Sequence, residues 1–459
     1  MLRNKNSRLY HYLLMILAAA AVFMDYLDTS IVSIALPEIS SDFNVSSTSS
    51  SWVLISYLLS LGCSLLIFGK LADRTGKYKL IFTAGFILFT IASLFCGTAP
   101  SLTVLIIFRF VQGFAAALMV STATTIINLH LPEKMQAIAA GVIATGGGAA
   151  LAAGPGIGGL ITEFISWNWI FYINIPIGIL GVLGAVLLIP KDVRREKPNT
   201  KFDGTGAALL TITLFSLLAG LEFGAQESWP FYSIILICAA PVFGFLFIRH
   251  ELRSKDPVLP AKLFKNRTVM FASLSTLLVT LVYIGLLYVL PFYFTGIGLA
   301  IGLTGLIMLI PPVCLAVMGI PSGALTIKFG CKKLCNIATL LLTAGIILLA
   351  AGIFTFMPVL ILAGLIVTGI GNGLNEGPSI RRITVHSPLE LQGSSGGLVF
   401  TVMNVGCVLG VALYSVTAAA ASGSTEFTTF GIAVSCAAAA VFAVLAYITS
   451  RAAKDTIKA

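Results

Sequence analysis

Predominantly apolar stretches of roughly twenty residues recur along the whole chain, and this pattern leaves few folds open. A helix of about 20 apolar residues crosses a hydrocarbon layer about 30 Å thick, with every backbone group bonded internally. Such stretches lie at 11–37, 51–69, 79–97, 101–121, 136–162, 169–189, 205–223, 230–249, 269–294, 301–321, 335–354, 357–378, 393–420 and 428–450. The pattern predicts an all-α polytopic membrane protein with fourteen transmembrane helices. Composition agrees: 58% of the 459 residues are hydrophobic and 10% are charged, against about 25% charged in a soluble domain. A globule in water could not cover that much apolar surface.

The loops test this map independently. Of the 28 Lys and Arg residues, all but Arg109 fall in the two terminal segments and in alternate breaks. The other breaks hold none and carry Glu38, Asp42, Glu163, Glu227 and Glu426. A wrong helix count would scramble this alternation. By the positive-inside rule both termini are expected to be cytoplasmic, in a multi-pass protein of the cytoplasmic (inner) membrane. The net charge of +10 is thus a topology signal and implies no nucleic-acid partner. Arg3, Lys5 and Arg8 before an apolar run resemble a signal peptide, but the run from Tyr12 to Pro37 is too long for one and reads as a retained first helix. Most of the eight cysteines lie inside apolar stretches and none forms a C-x-x-C pair, so no metal site or disulfide framework is expected.

The chain echoes itself. Gly69-Lys-Leu71-Ala-Asp73-Arg74-Thr-Gly76-Lys77 follows the second helix, and Gly323-Ala-Leu325-Thr-Ile327-Lys328-Phe-Gly330-Cys follows the tenth, at an offset of 254 residues (323 minus 69). The physical reading is two six-helix bundles, 1–190 and 269–459, with linkers and two extra helices inserted over 191–268. Parallel halves of this kind place a binding site near the midplane between them.

No G-x-x-x-x-G-K-[S/T] phosphate loop occurs, so the energy for transport is expected from a gradient, with no cofactor. An ionisable group inside a span costs about 2.5–3.5 kcal/mol on insertion scales and calls for an explanation. The first span holds Asp25 and Asp28, three residues apart. Carboxyls there can cycle between protonated and ionised forms, or form a permanent hydrogen-bonded pair. Arg109 sits mid-span with Gln112 one turn on; it cannot deprotonate, so it needs an internal partner. It either couples to a carboxyl or ties two helices statically. The run Gly146 to Gly159, with Gly154, Pro155, Gly158 and Gly159, allows close helix approach and bending at once. Gly406 and Gly410 form a further G-x-x-x-G. Gly69, Asp73, Arg74, Gly76 and Lys77 suit a latch on the cytoplasmic face, weaker in the second copy where Ile327 replaces the acid. Glu222 and Glu376 lie near predicted helix ends and read as solvated. Tyr26, Tyr57 and Tyr288, with Gln112, are candidates to line a substrate cavity.

Several of these segments carry a resemblance. Leu27-Asp28-Thr-Ser-Ile31-Val32-Ser-Ile-Ala35-Leu36-Pro37 resembles the first-helix signature of the fourteen-helix drug/proton antiporters of the major facilitator superfamily, the exporters of the EmrB and QacA type. Gly69 to Ile81 resembles the superfamily's loop motif, with Tyr78 where a basic residue is usual. Leu105-x-x-x-Arg109-x-x-Gln112-Gly113 resembles its fourth-helix motif, tied to proton coupling. Ala150-x-x-x-Gly154-Pro155-x-x-Gly158-Gly159 resembles the fifth-helix antiporter motif, with Ala150 in place of the first glycine. Trp167 to Gly178 looks like the family's sixth-helix start, with Asn168 where arginine is common.

The resemblance implies a major facilitator fold and a proton-coupled exporter of amphipathic small molecules such as drugs. Asp28, Asp25 and Arg109 would carry coupling, and Gly154 with Pro155 would serve as hinge. Its partners would be the substrate, protons and the lipid bilayer; no segment specifies a periplasmic adaptor. The 393–420 and 428–450 spans lack the extra acids that some dication exporters carry. The rival readings are an exporter of an endogenous metabolite, lipid or siderophore, a proton-coupled importer, and a non-transporting membrane sensor. An enzyme fits poorly, because no nucleophile–base set appears.

Overall fold

The computed structural model describes residues 8–192, 203–226, 230–254, 257, 263, 266–387, 392–424 and 426–453, with some side chains inside helices left out. These residues form sixteen helices: α1 (Arg8–Asp42), α2 (Ser47–Thr75), α3 (Tyr78–Gly97), α4 (Leu102–His130), α5 (Glu133–Phe164), α6 (Trp169–Tyr172), α7 (Asn174–Leu188), α8 (Gly204–Gln226), α9 (Phe231–Glu251), α10 (Arg267–Gly296), α11 (Ile301–Met308), α12 (Ile310–Phe329), α13 (Cys331–Thr355), α14 (Pro358–Val385), α15 (Gln392–Ser422) and α16 (Thr429–Ala452). Two breaks have a local cause. Pro176 cannot donate to the Tyr172 carbonyl, and Pro311 and Pro312 cannot donate to Ile307 and Met308, so α6/α7 and α11/α12 are each one span broken at a proline.

Counted that way, thirteen helices among the described residues are long and apolar enough to cross a membrane. The thirteen do not include α5, although it is a continuous helix of 32 residues over the expected 136–162 span. Large apolar side chains stay exposed along the helices, among them Ile87, Ile91, Leu180, Leu183, Phe245, Val317, Ile347 and Val441. In water such a surface would aggregate; against lipid it is the expected exterior.

The packing repeats. α1 packs on α5, α2 on α4, and α3 on both α4 and α7. In the same order α10 packs on α15, α12 on α14, and α13 on both α14 and α16. Contacts between these two sets are paired as well: α5 meets α11, α15 meets α2, and α1 meets α10. α8 and α9 pack on each other, and α8 lies against α2 and α15. Gly406 illustrates the tightness, since a Cβ there would sit 2.6 Å from the Leu277 carbonyl oxygen of α10.

The echoed segments share a backbone device. Gly76 (φ 66°) ends α2 and Gly330 (φ 80°) ends α12, both in the positive-φ region that side-chain-bearing residues avoid. Each is followed at once by the next helix, so the expected long loop is only Gly76 and Lys77, and Gly69 to Thr75 belong to the last turns of α2. The opposite ends of α3 and α7 are clamped together. The Asp192 carboxylate accepts from Lys79 N and Leu80 N at 2.8 and 3.1 Å, and Lys79 Nζ donates to the Ile189 and Val186 carbonyls at 2.6 and 2.7 Å. An anion at the N-terminus of α3 and a cation at the C-terminus of α7 both suit the helix dipoles. Outside the spans, burial alone would raise the Asp203 carboxyl, but Gly206 N–H, His250 and Ser254 hold it below the usual carboxylate range.

The 379–392 loop starts later than the sequence suggests, because α14 runs on to Val385. Arg382 is 1% exposed, and its guanidinium donates to the Ser450 carbonyl at 3.1 Å and to the Ala453 carbonyl. These are the free acceptors at the C-terminal end of α16, so a cation read as a topology signal is also a structural clamp. Arg382→Ala is expected to cost about 2–3 kcal/mol by removing these charge-assisted bonds. A thermal-unfolding midpoint in detergent should fall, and Arg382→Lys should recover part of it. An unchanged midpoint would mean that the clamp carries no weight.

Candidate functional site

The polar interior is assembled around Asp28 on α1, which is fully buried. Its Oδ2 pairs with Arg109 Nη1 of α4, also fully buried. Its Oδ1 accepts from Gln112 Nε2 at 3.0 Å and from Asn174 Nδ2 of α7 at 2.9 Å. Gln112 in turn accepts from Arg109 Nη1 at 2.8 Å and donates to Ser93 Oγ of α3 at 2.9 Å. Arg109 Nε donates to the Val53 carbonyl of α2 at 2.9 Å. Five helices are therefore tied through one carboxylate and one guanidinium. A buried ion pair survives when hydrogen bonds satisfy its remaining valences, and here they nearly do. Arg109 Nη2 and Asn174 Oδ1 are the exceptions, with no hydrogen-bond partner among the described residues.

Asp25 lies one turn before Asp28 and is less engaged. Its Oδ1 accepts from the Tyr57 hydroxyl at 2.6 Å. The Tyr57 ring also carries the Arg109 guanidinium, with Cζ 4.1 Å from the ring centroid. Tyr57 thus joins both acids to one cation: its edge holds Asp25, and its face receives the charge paired with Asp28. Phe171 stands on another side of Arg109, 5.8 Å from Cζ to the ring centroid.

The sequence-predicted residues divide accordingly. Asp28, Asp25, Arg109, Gln112 and Tyr57 come together. Gln112 and Tyr57 are fully buried network members and do not line an open cavity. Tyr288 is also buried, its ring packed against Phe292 and Phe427 at centroid distances of 5.7 and 6.2 Å, so it is a core residue. Tyr26 remains half-buried. Asn174 and Ser93 were missed as site residues. Asn174 falls within the sixth-helix resemblance from Trp167 to Gly178 but was given no role there, and Ser93 carried no signal. Asn168, standing where arginine is common, donates to the Gly97 carbonyl at 2.8 Å and closes the end of α3.

The small residues of α5 face two ways. Gly154 and Gly158 lie against α1 at Ser30 and Ile31, and Ser30 Oγ donates to the Ala150 carbonyl at 3.3 Å. Gly159 faces α11, where a Cβ would lie 2.8 Å from the Ile301 carbonyl oxygen. α5 runs unbroken through Pro155, whose own carbonyl packs against Gly305. Nearby, the Glu163 carboxylate accepts from Gly302 N at 2.5 Å, at the N-terminus of α11. Ser47 Oγ donates to Glu426 Oε2 at 3.1 Å on the same face, opposite the chain termini. That face is therefore closed between the two helix sets. Of the expected latch, Gly69 has ordinary packing, since a Cβ built there would lie 3.8 Å from Ser121 Cβ, so tight approach does not explain it. Lys77 is exposed, and the side chains of Asp73 and Arg74 lie outside the described residues. On that face Lys70 Nζ donates to the Pro257 carbonyl at 2.7 Å.

Comparison with known proteins adds to this geometry. The model of the Major Facilitator Superfamily matches residues 18–411. The riboflavin transporter RibZ of Clostridioides difficile is 30% identical, over 88% of this chain and 87% of that protein. The multidrug transporter protein MdtP of Bacillus subtilis is 33% identical over 77% of this chain and 65% of its own length, just under two thirds. The tetracenomycin C resistance and export protein of Streptomyces glaucescens is 31% identical, over 88% and 75%. A solved bacterial homolog of the human lysosomal transporter Spinster, inward-facing and unoccupied, aligns with a TM-score of 0.66 over 97% of this chain and 98% of its own. At 16% identity that likeness is one of fold.

Proposed function

This chain belongs to the Major Facilitator Superfamily, and from that premise we propose that it is a proton-coupled antiporter exporting amphipathic small molecules, drugs among them, across the cytoplasmic membrane by alternating access. It is a multi-pass membrane transporter and not an enzyme. In this reading α5 completes a set of fourteen spans, residues 1–190 and 269–459 form two rocking bundles, and 191–268 bridges them. Both termini are cytoplasmic, and the chain is a fourteen-helix exporter of the EmrB and QacA kind.

The observation that carries the reading is the buried Asp28–Arg109 pair with a second acid, Asp25, one turn away. A proton arriving at Asp28 neutralises it and releases Arg109, whose Nη2 has no hydrogen-bond partner among the described residues. Asp25 is the more accessible of the two acids in this conformation, since it is bound only by Tyr57 among the described residues. Through Tyr57 a proton on one acid is felt by the other. Movement of α1 and α4 then reaches Gly154 and Gly158 on α5, and through Gly159 the closed face. Asp73, Arg74 and Lys77 latch the opposite face. Tyr26 lines the cavity between the bundles. One proton moving down 100 mV supplies about 2.3 kcal/mol, enough for a gradient of roughly fifty-fold. No cofactor is invoked.

The likeness to a riboflavin transporter supports a second reading, a carrier of an endogenous vitamin-like metabolite on the same scaffold. The test is proton movement in inverted vesicles energised by respiration, with lipophilic cations, tetracyclines and riboflavin added singly. The expected result is substrate-induced loss of the pH gradient that vanishes in Asp25→Asn and in Asp28→Asn, with protein present in the membrane. A response unchanged in both variants would remove the coupling role. A response to riboflavin alone would establish the second reading. Substrate accumulation only in right-side-out vesicles would make the protein an importer.

A further inference from the structure

The inserted helices α8 and α9 form one stiff hairpin. On the face of the chain termini, the Asp203 carboxylate accepts from Gly206 N at 2.8 Å and caps α8. The same carboxylate lies 2.7 Å from His250 Nε2 in the last turn of α9. Farther along, α9 comes close to Gly220, where a Cβ would lie 2.9 Å from Ile237 N. On the opposite face the rings of Phe223 and Tyr232 meet edge to face, with centroids 5.8 Å apart. Contacts spread over the length of both helices leave little freedom between them.

α8 lies against both helix sets, on α2 of the first and on α15 of the second. The extent of contact does not decide which set it follows when the two move apart; the kind of contact does. Toward α2 the ties are specific. The Trp52 and Phe223 rings pack with centroids 5.5 Å apart. At the other end of α2, Lys70 Nζ donates to the Pro257 carbonyl, just beyond α9, at 2.7 Å. Both interactions depend on distance and angle, so a shift of the hairpin against α2 would break them. They stand 18 residues apart on α2 (70 minus 52), about 27 Å along its axis. Two ties so widely spaced fix the orientation of the hairpin as well as its position.

Toward α15 the contact is of another kind. A small cavity opens where α2, α8 and α15 meet, lined by Leu214 of α8, by Leu59 and Gly62 of α2, and by Asn404, Val405 and Val408 of α15. Apart from Asn404 its walls are apolar. Protein interiors are otherwise filled, and a gap forfeits attraction across it. Aliphatic side chains around such a gap slide past one another at little cost.

We propose that the inserted pair is a rigid extension of the first helix set: α8 and α9 move with α2, and the face of α8 toward α15, with its cavity, is the surface along which the second set slides. This rests on the reading of two rocking bundles, and it assigns the extra pair to one of them.

Spin labels taken in pairs test it, on the full chain in lipid nanodiscs with its native cysteines replaced. The positions are Leu252 at the end of α9, Leu80 on α3 and Val385 on α14, all exposed on the face of the chain termini. The Leu80–Val385 distance reads one helix set against the other. Gly159→Leu and Gly305→Ala each force a side chain into the contact between α5 and α11, and so drive the change; two variants keep the test open if one folds poorly. The Leu80–Val385 distance is expected to shift by several ångströms, and Leu252–Val385 to shift with it, while Leu252–Leu80 stays constant. Removing both ties in Phe223→Ala/Lys70→Met should broaden the Leu252–Leu80 distribution, and one that stays narrow would overturn the proposal. A shifted Leu252–Leu80 distance with Leu252–Val385 constant would assign the pair to the second set. Shifts in both would make the hairpin a third body. Either result overturns the proposal and leaves the rocking bundles standing. If none of the three distances moves in either variant, the rocking reading falls and the proposal falls with it.

Discussion

Replacing Arg109 by leucine is expected to lower the stability of the folded chain by about 3–5 kcal/mol, because it strands the fully buried Asp28 charge without its partner. Asp28→Leu should be similarly damaging, since it leaves the Arg109 guanidinium buried against the Tyr57 ring with, among the described residues, only Val53 and Gln112 to accept from it. The double variant Asp28→Leu/Arg109→Leu removes both charges at once. Buried pairs are often replaced by apolar residues at little cost, so it should recover most of the yield and unfolding midpoint. Recovery will be incomplete, because Gln112 and Asn174 lose acceptors that bind them at 3.0 and 2.9 Å. Transport driven by a proton gradient should nevertheless be absent in all three. Midpoints in detergent and gradient discharge in vesicles read the two effects separately. Single variants as stable as the intact chain would show that the pair does not hold the bundle. A double variant that still exchanges protons would move coupling away from the pair altogether.

Gly159→Leu is the second large effect. Its Cβ would lie 2.8 Å from the Ile301 carbonyl oxygen and 3.0 Å from Gly305 Cα, both backbone atoms of α11 that cannot rotate away. Overpacking of this kind costs about 1–3 kcal/mol, and it falls only on the conformation in which α5 and α11 touch. The equilibrium should therefore shift by roughly tenfold to a hundredfold toward a state open on the face opposite the termini. Spin labels at Ser41 and Ser424, both exposed on that face, report the opening as a longer distance. Transport should fall in step, because a carrier held open on one side does not cycle. An unchanged label distance with normal transport would show that the contact yields at no cost and that the face is not a gate.

The spans were legible because membrane insertion is decided locally. Each residue meets lipid or not largely by its own polarity, and the breaks at Gly76 and Gly330 are visible as glycines at matching places in an echoed segment. Boundaries were less legible where charges stay helical. Gly69 to Thr75 and Ser379 to Val385 continue α2 and α14 with basic residues in their last turns, and a hydropathy window stops at the first charge. Arg382 shows why: its charge is tolerated inside the fold by carbonyls at the end of α16, some 70 residues away, which no local window contains.

The candidate site divides in the same way. Asp25, Asp28 and Arg109 announced themselves, since a charge in an apolar run is conspicuous whatever surrounds it. Their partnership was not readable. Asp28 is held by Asn174, 146 residues along the chain, and Arg109 by Val53, 56 residues back. Such pairings depend on how each helix is rotated about its axis and tilted against its neighbours, which hydropathy does not encode. The sequence by itself determined that this chain is a many-helix membrane protein with a repeated half and a few charges kept at depth, because lipid selects residue by residue. Only the tertiary structure decided that Tyr57 joins the two acids and that Tyr288 is core, because those outcomes are set by packing between helices far apart in the chain.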